Sequence, residues 1–157
     1  MVEYALFFSL QPDITGPGVD ILAASVNFLG TGTGEYSILS GTSMSSPHIA
    51  GCGALLKSLH PEWTPGQIQS AIMFTAESTV TENGNPVGFY GAGAGYANCA
   101  KAADASLFLD ETTENFLAAE DQSPSSLNVP SVVATCNTGI ECSQFQRTFT
   151  SSGPGQW

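Results

Sequence analysis

The chain of 157 residues is 42% hydrophobic and only 11% charged, a balance that suits one globular domain and excludes a disordered, collagen-like or coiled-coil chain. Fourteen acidic residues against three basic ones leave a net charge of −11. This charge repels phosphate backbones and anionic lipid, so no nucleic-acid partner and no membrane partner is expected.

No stretch approaches the roughly 20 apolar residues of a membrane span. Met1 to Phe8 lacks the basic start and the small-residue cleavage site of a signal peptide. Two expectations follow: a cytosolic protein, or a chain whose true start lies further upstream.

Residues 13 to 40 alternate turns with short apolar runs. Gly16-Pro17-Gly18 is a turn, Val19 to Ala24 reads as a strand, Asn27 to Glu35 as a Gly-rich loop, and Tyr36 to Leu39 as a second strand. From Met44 to Leu59 the period changes: Ile49, Cys52, Leu56 and Leu59 recur at helical spacing with small or apolar residues between them. A helix apolar nearly all round is expected to be buried. Pro47 is placed in its first turn, where a missing N–H costs nothing, and Pro61 stops it.

Thr64-Pro65-Gly66-Gln67 carries the residues of a capping box, and Ile68, Ala71, Ile72 and Thr75 then mark one face of a second helix. Gly84 to Gly95 reads as a Gly-rich loop, Ala100 to Ala105 as a short helix and Leu107 to Leu109 as a strand. Residues 121–126 read as a linker. Beyond it, Leu127 to Ala134 and Phe145 to Phe149 read as two strands of a new β unit that the chain does not close.

Of the four cysteines, none forms a C-x-x-C pair, and neither His48 nor His60 lies at zinc-ligand spacing from a cysteine pair, so no metal site is expected. Cys136 and Cys142, with Gly139 between them, are a candidate local disulfide that would place the protein outside the cytosol; the alternative is two free thiols. Cys52, in the apolar helix, is expected to be an inert buried thiol. Cys99 has no role in this reading.

The segment that carries chemistry is Gly41-Thr42-Ser43-Met44-Ser45-Ser46-Pro47-His48. A serine between a Gly turn and the start of a helix sits beside unpaired N–H groups and the positive end of the helix dipole. Such groups stabilise an oxyanion forming at Ser43, to which Thr42 could add a hydroxyl donor. From this geometry alone an ordinary Ser/Thr helix cap, which any helix can have, is the commoner explanation.

The same segment, followed by Ile49-Ala50-Gly51, resembles the active-site serine motif of the subtilases, the subtilisin-like serine peptidases. Upstream, Pro12-Asp13-Ile14-Thr15-Gly16-Pro17-Gly18 is similar to the family's Pro-Asp-Ile-x-Ala-Pro-Gly block, with Gly16 in place of the usual Ala. Downstream, His60 to Pro65, Ile68 to Ala76 and Phe89 to Gly93 resemble later family blocks. Leu127 to Ser131 and Gln146 to Thr150 look like the opening of a fibronectin-III-like domain.

The resemblance implies an α/β fold: part of a subtilisin-like three-layer domain with a parallel sheet over residues 12–120, then the linker, then a truncated fibronectin-III-like β-sandwich over 127–157. Residues 1–11 remain unmatched, which implies a truncated or misassigned start. It also implies a large secreted bacterial-type enzyme. Ser43 would be the nucleophile of a serine endopeptidase, with the Thr42 and Ser43 positions supporting the oxyanion.

Because the family's triad runs Asp, His, Ser along the chain, the Asp, the His and the oxyanion Asn would lie upstream. The upstream part of the catalytic domain is therefore the expected partner, beside a polypeptide substrate. No cofactor is called for, and calcium is left open for the full-length enzyme. His48 would be structural. The alternative is a non-catalytic subtilase-like binding or structural protein. An α/β-hydrolase esterase fails because position 45 is Ser where G-x-S-x-G needs Gly.

Overall fold

The computed structural model describes residues 11–25, 35–121, 127–132 and 145–153. Strands β1 (Ile21–Ser25) and β2 (Glu35–Leu39) pair antiparallel, with Ile21 opposite Leu39 and Ser25 opposite Glu35. The first strand starts later than its apolar run suggests because Asp20 takes a left-handed φ of 52°, which breaks the extended backbone.

Helix α1 (Thr42–Leu59) follows directly and runs for 18 residues. Two expectations about it are corrected. It starts at Thr42, so Pro47 lies in the second turn, where its missing N–H leaves the Ser43 carbonyl without its i+4 donor. It is also not buried all round: Cys52 and Leu56 are its buried residues, whereas Leu55 and Leu59 are each 64% exposed. Lys57 secures the turn after it by donating to the carbonyls of Pro61 and Trp63, both at 2.7 Å.

Helix α2 (Pro65–Phe74) starts as its sequence predicts. The Thr64 hydroxyl accepts the Gln67 N–H at 3.1 Å, and the Gln67 side chain accepts the Thr64 N–H at 3.0 Å.

The stretch read as a loop holds structure. Strands β3 (Thr81–Glu82) and β4 (Asn85–Pro86) form a hairpin around Asn83-Gly84, whose φ values of 52° and 79° suit a primed turn. Helix α3 (Phe89–Ala92) follows it. Helix α4 (Cys99–Ala103) is capped by the Asn98 side chain, which accepts the Lys101 N–H at 3.1 Å. Strand β5 (Leu107–Phe108) then leads to helix α5 (Thr113–Asp121), which the sequence reading did not anticipate.

The expected strands after residue 127 are also corrected. Among the described residues, 127–132 and 145–149 hold no strand, and the strand that does form, β6 (Thr150–Ser151), pairs antiparallel with β5. The reason lies in Asn128. Its side chain accepts the Thr148 N–H at 2.8 Å and donates to the Thr148 carbonyl at 2.7 Å, so a side-chain amide stands where a neighbouring strand's backbone would. Residues 122–126 and the pair Cys136 and Cys142 lie outside the described residues.

The core gathers Cys52 and Leu56 of α1, Trp63 in the turn before α2, Ala71 and Ile72 of α2, Ala102 of α4 and Phe108 of β5. Trp63 stacks on His60 at 3.9 Å and meets the edge of Phe108 at 4.7 Å. Ser70 is fully buried. Its hydroxyl accepts the Leu109 N–H at 3.1 Å and lies 3.0 Å from the Leu109 carbonyl, fixing the residue after β5 to α2. Cys52 is buried as expected but is not a free thiol. It is disulfide-bonded to Cys99, with a Cα–Cα distance of 5.7 Å, which ties α1 to α4.

Among the described residues the sheets are two-stranded and antiparallel. The parallel pairing found there is the isolated bridge between Thr15 and Tyr96, where Thr15 donates its N–H to Gly95 and accepts from Ala97, both at 2.8 Å.

Candidate active site

Ser43 occupies the first turn of α1 and is exposed. Gly41 precedes the helix with φ 153°, a value that favours glycine, and no side chain caps the helix. The N–H groups of Met44 and Ser45 both point to the Gly41 carbonyl, at 3.1 and 3.2 Å. The N–H groups of Thr42 and Ser43 have no acceptor among the described residues. Two free amides at the positive end of an 18-residue helix therefore stand beside the Ser43 hydroxyl.

The turn before Ser43 is held from the other side of the β1–β2 hairpin. The Gly41 N–H donates to the Gly18 carbonyl at 2.7 Å. A Cβ on Gly18 would lie 2.7 Å from the Gly41 carbonyl oxygen, so the two backbones touch only because residue 18 has no side chain. One residue beyond the paired strands, Ser40 Oγ accepts the Asp20 N–H at 2.8 Å and lies 3.4 Å from the Asp20 carboxylate. Local spacing in the sequence held no sign of this contact, because Asp20 and Ser40 meet only through the hairpin.

A concavity of about 350 Å³ opens beside Ser43, lined by Ile21, Leu22 and Ala23 of β1 and by Met44, Pro47 and His48 of α1. His48 lines it, but its Nδ1 donates to the Met44 carbonyl at 2.7 Å, so the ring is tied to its own helix. His60 sits at the far end of α1, roughly 25 Å away along the helix axis. There its Nε2 donates to the Ala103 carbonyl at 2.9 Å. Neither histidine is hydrogen-bonded to Ser43, and among the described residues the Ser43 hydroxyl has no partner. No cluster of three or more metal-ligating side chains occurs among the described residues either. What the site brings together is an exposed hydroxyl, two free amides and an apolar hollow; among the described residues no base is hydrogen-bonded to Ser43.

Comparison with known proteins decides the family: the subtilase family model matches residues 4–93. The chain belongs to the subtilase family. Similar proteins from Arabidopsis thaliana include subtilisin-like protease SBT1.7, 35% identical over 92% of this chain and 24% of that protein. Subtilisin-like protease SBT4.3 is 41% identical over 69% of the chain and 16% of its own length. A third relative, named CO(2)-response secreted protease, is 39% identical over 69% of the chain and 16% of its own length. The chain thus spans a quarter or less of these subtilases. The family match takes in every residue of the Ser43 site described above.

Proposed function

We propose that this chain supplies the nucleophile and part of the oxyanion site of a serine endopeptidase whose Asp, His and oxyanion Asn are carried on an upstream part of the catalytic domain. The observation that carries the reading is the placement of Ser43: exposed, in the first turn of α1, beside the free Thr42 and Ser43 amides and within a family match over residues 4–93. In the reaction, Ser43 Oγ attacks a peptide carbonyl and its proton passes to the His base. The tetrahedral oxyanion is met by the helix amides, the amine leaves with the proton, and water then cleaves the acyl-enzyme.

The substrate is polypeptide and the setting extracellular, as the secreted relative suggests. The subtilase part runs to residue 120 as the C-terminal portion of a three-layer domain with a parallel sheet, and it starts before the expected residue 12, because the family match begins at residue 4. Residues 127–157 open a fibronectin-III-like domain after a linker that follows α5, since Asp121, expected in the linker, is the last residue of that helix. The bacterial-type architecture draws no support from the plant relatives above.

A second reading, a non-catalytic subtilase-like binding protein, is favoured by one observation: the Ser43 hydroxyl has no basic partner among the described residues. Fluorophosphonate labelling of the chain together with its upstream part separates the two. Labelling at Ser43, lost in Ser43→Ala along with peptide hydrolysis by roughly 10⁴-fold or more, supports the peptidase. No labelling in the folded assembly supports the binding protein.

A further inference from the structure

Helix α1 begins without a side-chain cap, at a glycine, yet the amides that face an oxyanion must be held to within a fraction of an ångström for the site to work. Among the described residues, the turn before Ser43 is held by contacts from the segment that enters β1, across the open end of the hairpin. The Gly41 N–H is anchored on the Gly18 carbonyl at 2.7 Å, and Ser40 Oγ is anchored on the Asp20 N–H at 2.8 Å with the Asp20 carboxylate at 3.4 Å. Asp20 holds a left-handed φ of 52° to present that N–H, a conformation that costs free energy in any residue other than glycine. Both strands are fixed in one register up to the Ile21–Leu39 pair, and the Asp20–Ser40 contact extends that register one step towards the nucleophile.

We infer that Asp20 and Ser40 form a latch that positions Ser43: closing the mouth of the hairpin sets the path of Gly41 and with it the direction of the Thr42 and Ser43 amides. The latch rests on the reading of Ser43 as nucleophile. It touches neither the substrate hollow nor Ser43 itself, so it acts on the geometry of the transition state more than on substrate capture. A lost latch should lower kcat and leave KM nearly unchanged.

In the complete protease that carries this chain, Ser40→Ala is expected to lower kcat about tenfold, the scale of a sub-ångström misplacement, with KM within about twofold. Ser40→Thr keeps the hydroxyl and should restore most of the rate. Asp20→Gly keeps the N–H and tolerates the positive φ, so it should cost less than Ser40→Ala. The first-order rate of fluorophosphonate acylation, measured on protein of verified thermal stability, should follow kcat across the series.

Unchanged kcat in Ser40→Ala, or a loss that Ser40→Thr does not restore, would overturn the latch while a dead Ser43→Ala still upheld the nucleophile. Full activity in Ser43→Ala would overturn the nucleophile and the latch together.

Discussion

Cys52 and Cys99 are bonded to each other across 47 residues, joining the middle of α1 to the first residue of α4. The closed segment contains α2, the β3–β4 hairpin and α3, so the bond holds the core helices against one another. Loop-closure entropy for a ring of this size predicts that Cys99→Ala lowers stability by about 4 kcal/mol. The denaturant midpoint of the variant, compared with wild type under non-reducing conditions, checks this. A midpoint within error of wild type would show that packing alone holds α4 to α1.

Cys136 and Cys142, close in sequence around Gly139, are predicted to pair with each other. Peptide mapping without reductant should find that bond, which on the same entropy argument adds about 2–3 kcal/mol. Alkylation of both thiols in oxidised material would refute it.

Gly18 and Gly16 both face α1, and they should respond differently to Ala. At residue 18 the new Cβ meets the Gly41 carbonyl oxygen, a backbone atom that cannot move without shifting the turn before Ser43; at residue 16 it meets the ends of the Ile49 and Ser45 side chains. Gly18→Ala should destabilise by about 1–3 kcal/mol, as overpacking does. Gly16→Ala, which restores the family's usual residue, should cost less. Thermal unfolding of the two variants side by side is the measurement, and equal losses would contradict the distinction.

Thr64 has two tasks. Its hydroxyl accepts the Gln67 N–H and donates to the Asp110 carboxylate at 2.7 Å, which links the start of α2 to the segment after β5. Thr64→Ala should cost about 1–2 kcal/mol, the range of a lost helix cap. Thr64→Ser should recover most of it. Chemical denaturation of both variants tests the pair.

Burial pushes the Glu111 carboxyl up, but hydrogen bonds from the Asn128 N–H, the Asn115 side chain and the Thr112 N–H outweigh it, together with the charge of Arg147. The net effect holds its pKa below the ordinary glutamate value. A folded pKa below the unfolded one stabilises the fold above the unfolded value. That contribution is lost as pH falls through the folded value. Glu111→Gln should therefore lower the melting temperature near neutral pH, and its gap to wild type should close below about pH 4. A gap independent of pH would show that the charge plays no part.

Leu22, Ile38, Leu55 and Leu59 are each more than half exposed. By itself this chain should associate through such surfaces despite its net charge of −11. Sedimentation across a concentration series, with and without the upstream part of the domain, measures this. A monodisperse monomer of the isolated chain would contradict it.

Some of this molecule was decided within a few residues of sequence. The Thr64-Pro65-Gly66-Gln67 cap, the stop at Pro61 and the setting of Ser43 at a helix start are local events, governed by hydrogen bonds and dihedral preferences between near neighbours, so the sequence alone reveals them. Asn83-Gly84 was equally local, and its turn could have been read. Other features depend on partners far apart in the chain. Cys52 read as a lone thiol because Cys99 reaches it only once α4 folds back onto α1. The residues after Leu127 read as strands because their backbone partners were unknown, whereas Asn128 supplies a side-chain amide and β5 pairs with Thr150–Ser151. The latch between Asp20 and Ser40 likewise exists only in the paired hairpin. Periodicity reports which residues are apolar, but tertiary structure decides which of them are covered, and α1 shows the difference in its buried Leu56 and exposed Leu55.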